Sequence, residues 1–160
     1  MLIINLDDSQ AQSTLAQLLR NASNSRVIMQ GLATELETMT SDNFENEAFG
    51  GQVWVRKAFG NGKTLTNTGE LKDSVTNSAT SHTASVGTNM IYARIHHFGG
   101  TIRPKNRSHL VFITPNGFAR VKSVTLLARP FLPVSPDGQL QSDGDRRLIE
   151  VALSALTSGT

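Results

Sequence analysis

The segment Gly60-Asn61-Gly62-Lys63-Thr64 ends like a phosphate-binding loop, in which backbone amides wrap phosphate oxygens and the lysine meets their charge. That loop requires a glycine five residues before the Gly-Lys pair, but position 57 is Lys57 and no clear strand leads into it. A loop without a ligand is the better reading. His96-His97 could hold a metal, but adjacent residues on a helix point about 100° apart. Metal-binding histidine pairs on a helix use i, i+4 spacing with a third ligand, and no carboxylate lies nearby in sequence. One ring packed and hydrogen-bonded at a helix end suits this pair better. No serine sits in a Gly-x-Ser-x-Gly turn. Glu35 and Glu37, and likewise Glu45 and Glu47, are two apart and do not share a helical face, while Asp7 and Asp8 read as helix caps. Paired carboxylates for acid–base work are therefore not visible.

The remaining chemistry is charge. Residues 1–73 carry nine acidic and six basic side chains, whereas residues 74–136 carry no acid at all and seven bases. Residues 137–160 carry four acids and two bases, and the whole chain balances at +2. All four histidines fall in the acid-free stretch. Such a stretch suggests a face that meets something negative: nucleic acid, an acidic protein surface or the acidic ends of neighbouring subunits. The alternative is a set of solvated bases scattered over both faces of a sheet. Arg94, Arg103, Lys105, Arg107, Arg120 and Lys122 are the candidate interface or DNA-facing residues, and Phe112 and Phe118 among them could stack bases.

The elements that must position these residues read as follows. Ala11, Leu15, Leu18, Leu19 and Ala22 form one face of a helix over 9–22, capped by Asp8 or Ser9. A longer helix spans 26–47 with the stripe Ile28, Leu32, Leu36, Met39 and Phe44, stopped by Gly50-Gly51, with Gly31 as a tolerated cost. Residues 50–65 look irregular, anchored by Trp54 and Phe59. A short helix follows over 68–75, capped by Asn67 or Thr68, and then a hairpin of 76–80 and 84–88 with Val86 inward. Residues 89–98 return to helical spacing through Ile91, Ile95 and Phe98, ending at Gly99-Gly100. A basic loop at 103–107 leads into a second hairpin, 109–114 and 118–127, around Asn116-Gly117. Residues 128–133 are extended because each proline disfavours α backbone before it. The last helix spans 142–156, started by Ser142 with Asp145 three residues on.

The sum is an α+β fold: an antiparallel sheet from two hairpins, packed by the long helix of the N-terminal half and by the C-terminal helix. Residues 1–160 form a single domain, with a helical arm at 1–24 and a basic loop/hairpin extension at 101–127. The chain has no cysteine, which excludes disulfide scaffolds, thiol catalysis and thiolate metal sites. The apolar start Met1 to Leu6 lacks a basic flank and runs into Asp7-Asp8, so it does not read as a signal peptide. No apolar run approaches a membrane span. The expectation is a soluble protein made and kept inside the cell.

Several segments, in order, resemble a known family. They are Leu65-Thr66-Asn67-Thr68-Gly69-Glu70-Leu71-Lys72-Asp73-Ser74-Val75, a hairpin ending Val86-Gly87-Thr88, Tyr92-Ala93-Arg94-Ile95-His96-His97-Phe98-Gly99-Gly100, and Ala128-Arg129-Pro130-Phe131-Leu132. The order is similar to the virion morphogenesis and tail completion proteins of contractile-tailed phages, and to the wider set of small head–tail joining and tail-terminator proteins. The resemblance covers roughly residues 26–156. It implies a non-enzymatic virion component without cofactors that acts as a ring, sixfold favoured, at the top of the tail. The implied partners are copies of itself, other tail or neck proteins, and DNA passing through the ring, with no membrane. It would be found in the host cytoplasm during assembly and then in the virion. A tail terminator proper, a head-side connector and a nucleic-acid-binding module using residues 94–129 are the alternatives. The residues matching the family, Gly69, Leu71, Gly87, Tyr92, Ala93, His96, Phe98, Gly99, Arg129, Pro130 and Phe131, read first as keepers of the fold.

Overall fold

The computed structural model describes residues 9–57, 60 and 62–158. The expectations for Met1 to Leu6, for Asp7 and Asp8 as caps, and for Phe59 as an anchor lie outside the described residues, as do the side chains of Ser9 and Ala11.

Two helices open the chain, α1 (Ser9–Ser23) and α2 (Ser25–Asn46), separated where the Asn24 amide turns back onto the Asn21 carbonyl at 3.0 Å. The expected apolar face of α1 is not a core face: Leu15 and Leu19 are exposed. The helix is held at its end instead, where the Asn21 side-chain amide donates to the carbonyls of Leu156 (2.6 Å) and Ser158 (3.0 Å). In α2 the expected stripe does reach the core, with Met39 and Phe44 fully buried. Gly31 also has a use there. A Cβ on it would lie 3.1 Å from Val151 Cγ1, so the glycine lets the C-terminal helix approach closely.

The long helix ends within one residue of the expected bound, and the stop is made at Glu47 rather than by the glycine pair. Glu47 takes a left-handed conformation (φ 51°) and its amide returns to the Asn43 carbonyl. Gly50-Gly51 instead turns a small hairpin between β1 (Ala48–Phe49) and β2 (Gln52–Val53), in a stretch expected to be irregular. The short helix α3 (Glu70–Asp73) is entered from Gly69 without a side-chain cap from Asn67 or Thr68. The hairpin of β3 (Val75–Ala79) and β4 (Ala84–Thr88) forms as expected, with Asn77 opposite Val86.

The helix expected over 89–98 shrinks to α4 (Ala93–Phe98), and it buries a different face. Ala93 and His97 point inward, while Ile91 is fully exposed and Phe98 is 52% exposed. Of the expected apolar face only Ile95 is half-buried; Ile91 and Phe98 lie on the surface. Beyond α4 the acid-free stretch forms a nested arm. Its base is β5 (Gly100–Ile102) paired with β8 (Val124–Leu126), and its tip is β6 (Leu110–Thr114) paired with β7 (Gly117–Val121). The base pair had no sequence signal; the Asn116-Gly117 turn did.

The chain then runs outside any helix or strand through Arg129 to Phe131, bends at Leu132 and Pro133, and goes on to α5 (Gly144–Thr157). The expected cap at Ser142 is absent: its hydroxyl donates to the Gly50 carbonyl at 2.8 Å, and Asp143 occupies the cap position. α2 packs against β3–β4 and against α5, and α5 against α1. The fold is α+β with the long early helix and the C-terminal helix as expected. Among the described residues, the strands form four separate antiparallel pairs rather than one continuous sheet.

Candidate functional site

The segments that carry the family resemblance converge on one core. Phe44, Trp54, Leu71, Ala93 and Phe131 form a buried cluster, with Leu65, Val75, Tyr92 and Leu132 packed around it. Phe131 meets Phe44 at 5.3 Å between centroids, and Trp54 meets Phe44 edge to face at 6.0 Å. Polar atoms of Trp54 and Asn43 are paired there, whereas Thr66 Oγ1 and His96 Nδ1 are buried without a hydrogen-bond partner among the described residues. Trp54 Nε1–H donates to the Pro130 carbonyl (3.0 Å), and the buried Asn43 amide donates to the Phe131 carbonyl (3.2 Å) and to Gln141 Oε1 (2.9 Å). Asn43 and Gln141 escaped the sequence reading, since lone amides carry no spacing signal.

His97 completes this core. Its Nδ1 accepts from the Phe131 amide at 3.3 Å. Burial pushes its pKa below the ordinary value, opposed by a backbone hydrogen bond with Val134. His96 is also pushed down, first by burial and then by the nearby Arg129 charge. Its ring lies edge-on to Tyr92 at 5.9 Å. The two rings diverge, and among the described residues no group of His, Cys, Asp and Glu could hold a metal ion.

Arg129 is buried rather than part of a basic face. Its Nε donates to the Val55 carbonyl (2.7 Å) and its Nη2 to the Arg56 carbonyl (3.2 Å), so it staples the irregular strand after β2 to the core. Gly99 takes φ 70°, and a Cβ there would sit 2.7 Å from the Ala128 amide nitrogen. Gly69 also has positive φ (82°). Gly87 is different: it is an ordinary strand residue opposite Thr76 with open space where a Cβ would be. Of the resemblance residues, then, Leu71, Ala93, Arg129 and Phe131 are buried and Tyr92, His96 and Pro130 half-buried, while Phe98 faces out.

The candidate basic residues are all exposed. Arg94 lies on α4, Arg103, Lys105 and Arg107 on the loop between β5 and β6, Arg120 on β7 and Lys122 just after it. None of the six forms an ion pair among the described residues. Phe112 and Phe118 do not make a joint stacking platform. In the β6–β7 register Phe112 lies opposite Ala119 and Ile113 opposite Phe118, which puts the two rings on opposite faces. Phe112 turns toward the body and walls an apolar cleft of about 690 Å³ with Leu65, Tyr92 and Leu126, whereas Phe118 points to solvent. No carboxylate or serine lines that cleft among the described residues. What this arrangement offers chemically is a sealed core and an exposed, cationic, partly apolar arm.

Comparison with known proteins agrees with the family resemblance. The chain matches the phage virion morphogenesis family over residues 6–147. It is 29% identical over 140 residues to Mu-like prophage FluMu G protein 2 of Haemophilus influenzae, covering 87% of this chain and 88% of that one. No solved structure matches it. Among the described residues, no helix is long and apolar enough to cross a membrane. The chain belongs to the phage virion morphogenesis family.

Proposed function

We propose that this member of the phage virion morphogenesis family acts in tail completion and head–tail joining, as a non-enzymatic subunit of a ring at the top of the tail. The observation that carries this reading is the family match across residues 6–147, which spans both the core and the arm. The geometry supports it: the matching segments maintain a core, and Arg129 and His97 are used there as hydrogen-bond staples. Ring subunits need two different surfaces that meet head to tail. A cationic arm and a chain whose other regions carry the acids supply such a pair.

The direct test is genetic and structural together. A phage lacking the chain should accumulate filled heads and unjoined tails, and added purified chain should restore infectious particles. Electron microscopy of completed tails should then place it at the head-proximal end. Normal particles without the chain would overturn the reading. The mass of the purified protein by light scattering should reveal a closed oligomer, with a hexamer expected.

A second reading, contact with DNA in the ring, is favoured by the six exposed bases that lack ion pairs. It requires oligonucleotide binding at low salt that weakens steeply as salt rises.

A further inference from the structure

The tip of the arm has two faces of opposite character. Leu110, Phe112, Ala119 and Val121 turn toward the body and are half-buried. Val111, Ile113 and Phe118 turn outward and are 60%, 78% and 80% exposed. Arg120, directly across from Val111 in the β6–β7 register, shares that outer face. A two-stranded hairpin gains little from presenting three large apolar side chains to water, so the face invites a cover.

We propose that the outer face of the β6–β7 hairpin docks on a second copy of this chain, on the outward face of that copy's α5. The inference rests on the ring reading above and assigns the contact within it. Charge selects the partner surface. Two arms packed face to face would bring Arg120 against Arg120, with no acid anywhere in residues 74–136 to relieve it. The contact must therefore be heterologous, with an apolar surface that carries a carboxylate. The other exposed apolar pairs lack one on their own element: Leu15 and Leu19 sit beside Arg20, and Phe98 sits on α4 with Arg94. On α5, Ile149 and Leu153 are 58% and 55% exposed at i, i+4 spacing, and Asp145 stands one turn before them in the same row. Asp145 forms no ion pair among the described residues, Glu150 is matched by Arg146 at 2.9 Å, and Arg147 turns inward to Glu35 and Asp42.

In this arrangement Phe118 and Ile113 lie over Ile149 and Leu153, and Arg120 faces Asp145. Three side chains bury far less than the ~800 Å² per partner of a standard interface. One contact is therefore weak, and it is strengthened when every subunit of a closed ring makes it twice, once with its arm and once with its helix.

The chain has no cysteine of its own, so introduced thiols report without background. Phe118→Cys and Leu153→Cys are made in separate chains, mixed and oxidised across a concentration series, with Val53→Cys as an exposed partner control. The expected result is a mixed disulfide dimer of F118C with L153C, at least tenfold more abundant than F118C with V53C. As a second measurement, Arg120→Asp and Asp145→Arg should each weaken self-association roughly tenfold, and the double variant should recover it. Equal crosslinking to both partners, or no recovery in the double variant, overturns the assignment while a ring built by other contacts stands. A chain that stays monomeric up to millimolar concentration also overturns it, whereas the tail-completion reading is decided separately by particle assembly. If F118D abolishes oligonucleotide binding but leaves self-association intact, the arm's outer face serves nucleic acid and the inference fails.

Discussion

His97 accepts a hydrogen bond from the Phe131 amide through Nδ1 at 3.3 Å, and the two rings meet edge to face with centroids 5.2 Å apart. The accepting nitrogen must be unprotonated, so the proton of the neutral ring sits on Nε2. That one contact ties α4 to the segment after the arm and fixes the imidazole as a neutral core residue.

Stability should therefore fall as pH drops below neutrality. Burial holds His97 and His96 below the ordinary value of 6.5 in the folded chain, and unfolding restores it. Below about pH 6.5 the unfolded chain binds more protons than the folded one, so the stability from the neutral rings is present above that pH and lost beneath it. Glu45, lowered to about 2 by Lys72 and Lys63, stays ionised throughout this window. Urea midpoints at pH 7.5, 6.5 and 5.5 should decrease in that order. His97→Asn keeps an acceptor without a titrating ring and should flatten the trend; an unchanged trend would show that His97 is not its source.

Phe131→Ala should be among the most damaging single changes. The ring is almost completely buried against Phe44 and His97, and its removal leaves a cavity at the meeting point of α2, α4 and the segment after the arm. Large-to-small changes of this kind cost about 3–5 kcal/mol. Equilibrium unfolding in urea measures it, and a loss below about 1 kcal/mol would mean that the core closes around the gap.

Two glycines should behave oppositely. Gly99→Ala forces a Cβ to within 2.7 Å of the Ala128 nitrogen at φ 70°, where β5 and β8 come together. Strained backbone of this type costs about 1–3 kcal/mol before any clash. Gly87→Ala has open space and no positive φ, and a lower chain entropy when unfolded makes it neutral or slightly stabilising. Thermal melts of the two variants side by side test the contrast.

Arg129→Ala should destabilise the chain, whereas Arg120→Ala should leave the monomer's stability unchanged within about 0.5 kcal/mol. Arg129 satisfies two carbonyls at positions 55 and 56, on residues that are themselves exposed, so each lost hydrogen bond costs about 0.5–1.5 kcal/mol, the net worth of a bond whose acceptor water can reach. Arg129→Lys should recover little, because an ammonium cannot span both acceptors as the guanidinium fork does. Denaturant midpoints for the three variants distinguish a staple from a solvated base.

What the sequence disclosed was local. The stripe ending in Met39 and Phe44 and the turn at Asn116-Gly117 are periodic or chemical signals within a few residues, and both appear where expected. The β5–β8 pair was invisible because each strand is three residues long and the partners are far apart; the Thr101 and Thr125 hydroxyls that meet across it are 24 residues apart. Around α4 the periodicity misled, since Ile91 and Phe98 share a spacing with the half-buried Ile95 yet are exposed, and the buried residues are Ala93 and His97. A histidine enters a core when a backbone amide awaits its ring nitrogen, and that amide, Phe131's, comes 34 residues later. Arg129 read as a keeper of the fold through the family resemblance alone; what it holds was not legible, because its carbonyl acceptors lie more than 70 residues earlier in the chain.

Arg147 is the remaining long-range staple, and removing it should loosen the helical half of the molecule without touching the arm. Its Nε pairs with Glu35 at 2.5 Å and its Nη1 with Asp42 at 2.8 Å, so one guanidinium joins α5 to two turns of α2. The hydrogen bonds to Asp42 and Glu35 outweigh the burial penalty and hold its pKa above the ordinary value. Arg147 and Glu35 are mostly shielded from water, while Asp42 is about half exposed, so the Glu35 contact carries more of the effect. Arg147→Ala leaves the Glu35 carboxylate without its partner beside the closely packed Gly31–Val151 contact. The expected loss is about 1–3 kcal/mol, in the range of charged hydrogen bonds that lose one member. Arg147→Met fills the volume without the charge, and Glu35→Gln added to it removes the stranded carboxylate; that double variant should regain part of the loss. Hydrogen exchange should show faster opening of α5 amides in Arg147→Ala and unchanged protection in β6–β7. Equal loosening of both regions would mean that the helices and the arm unfold as one cooperative unit.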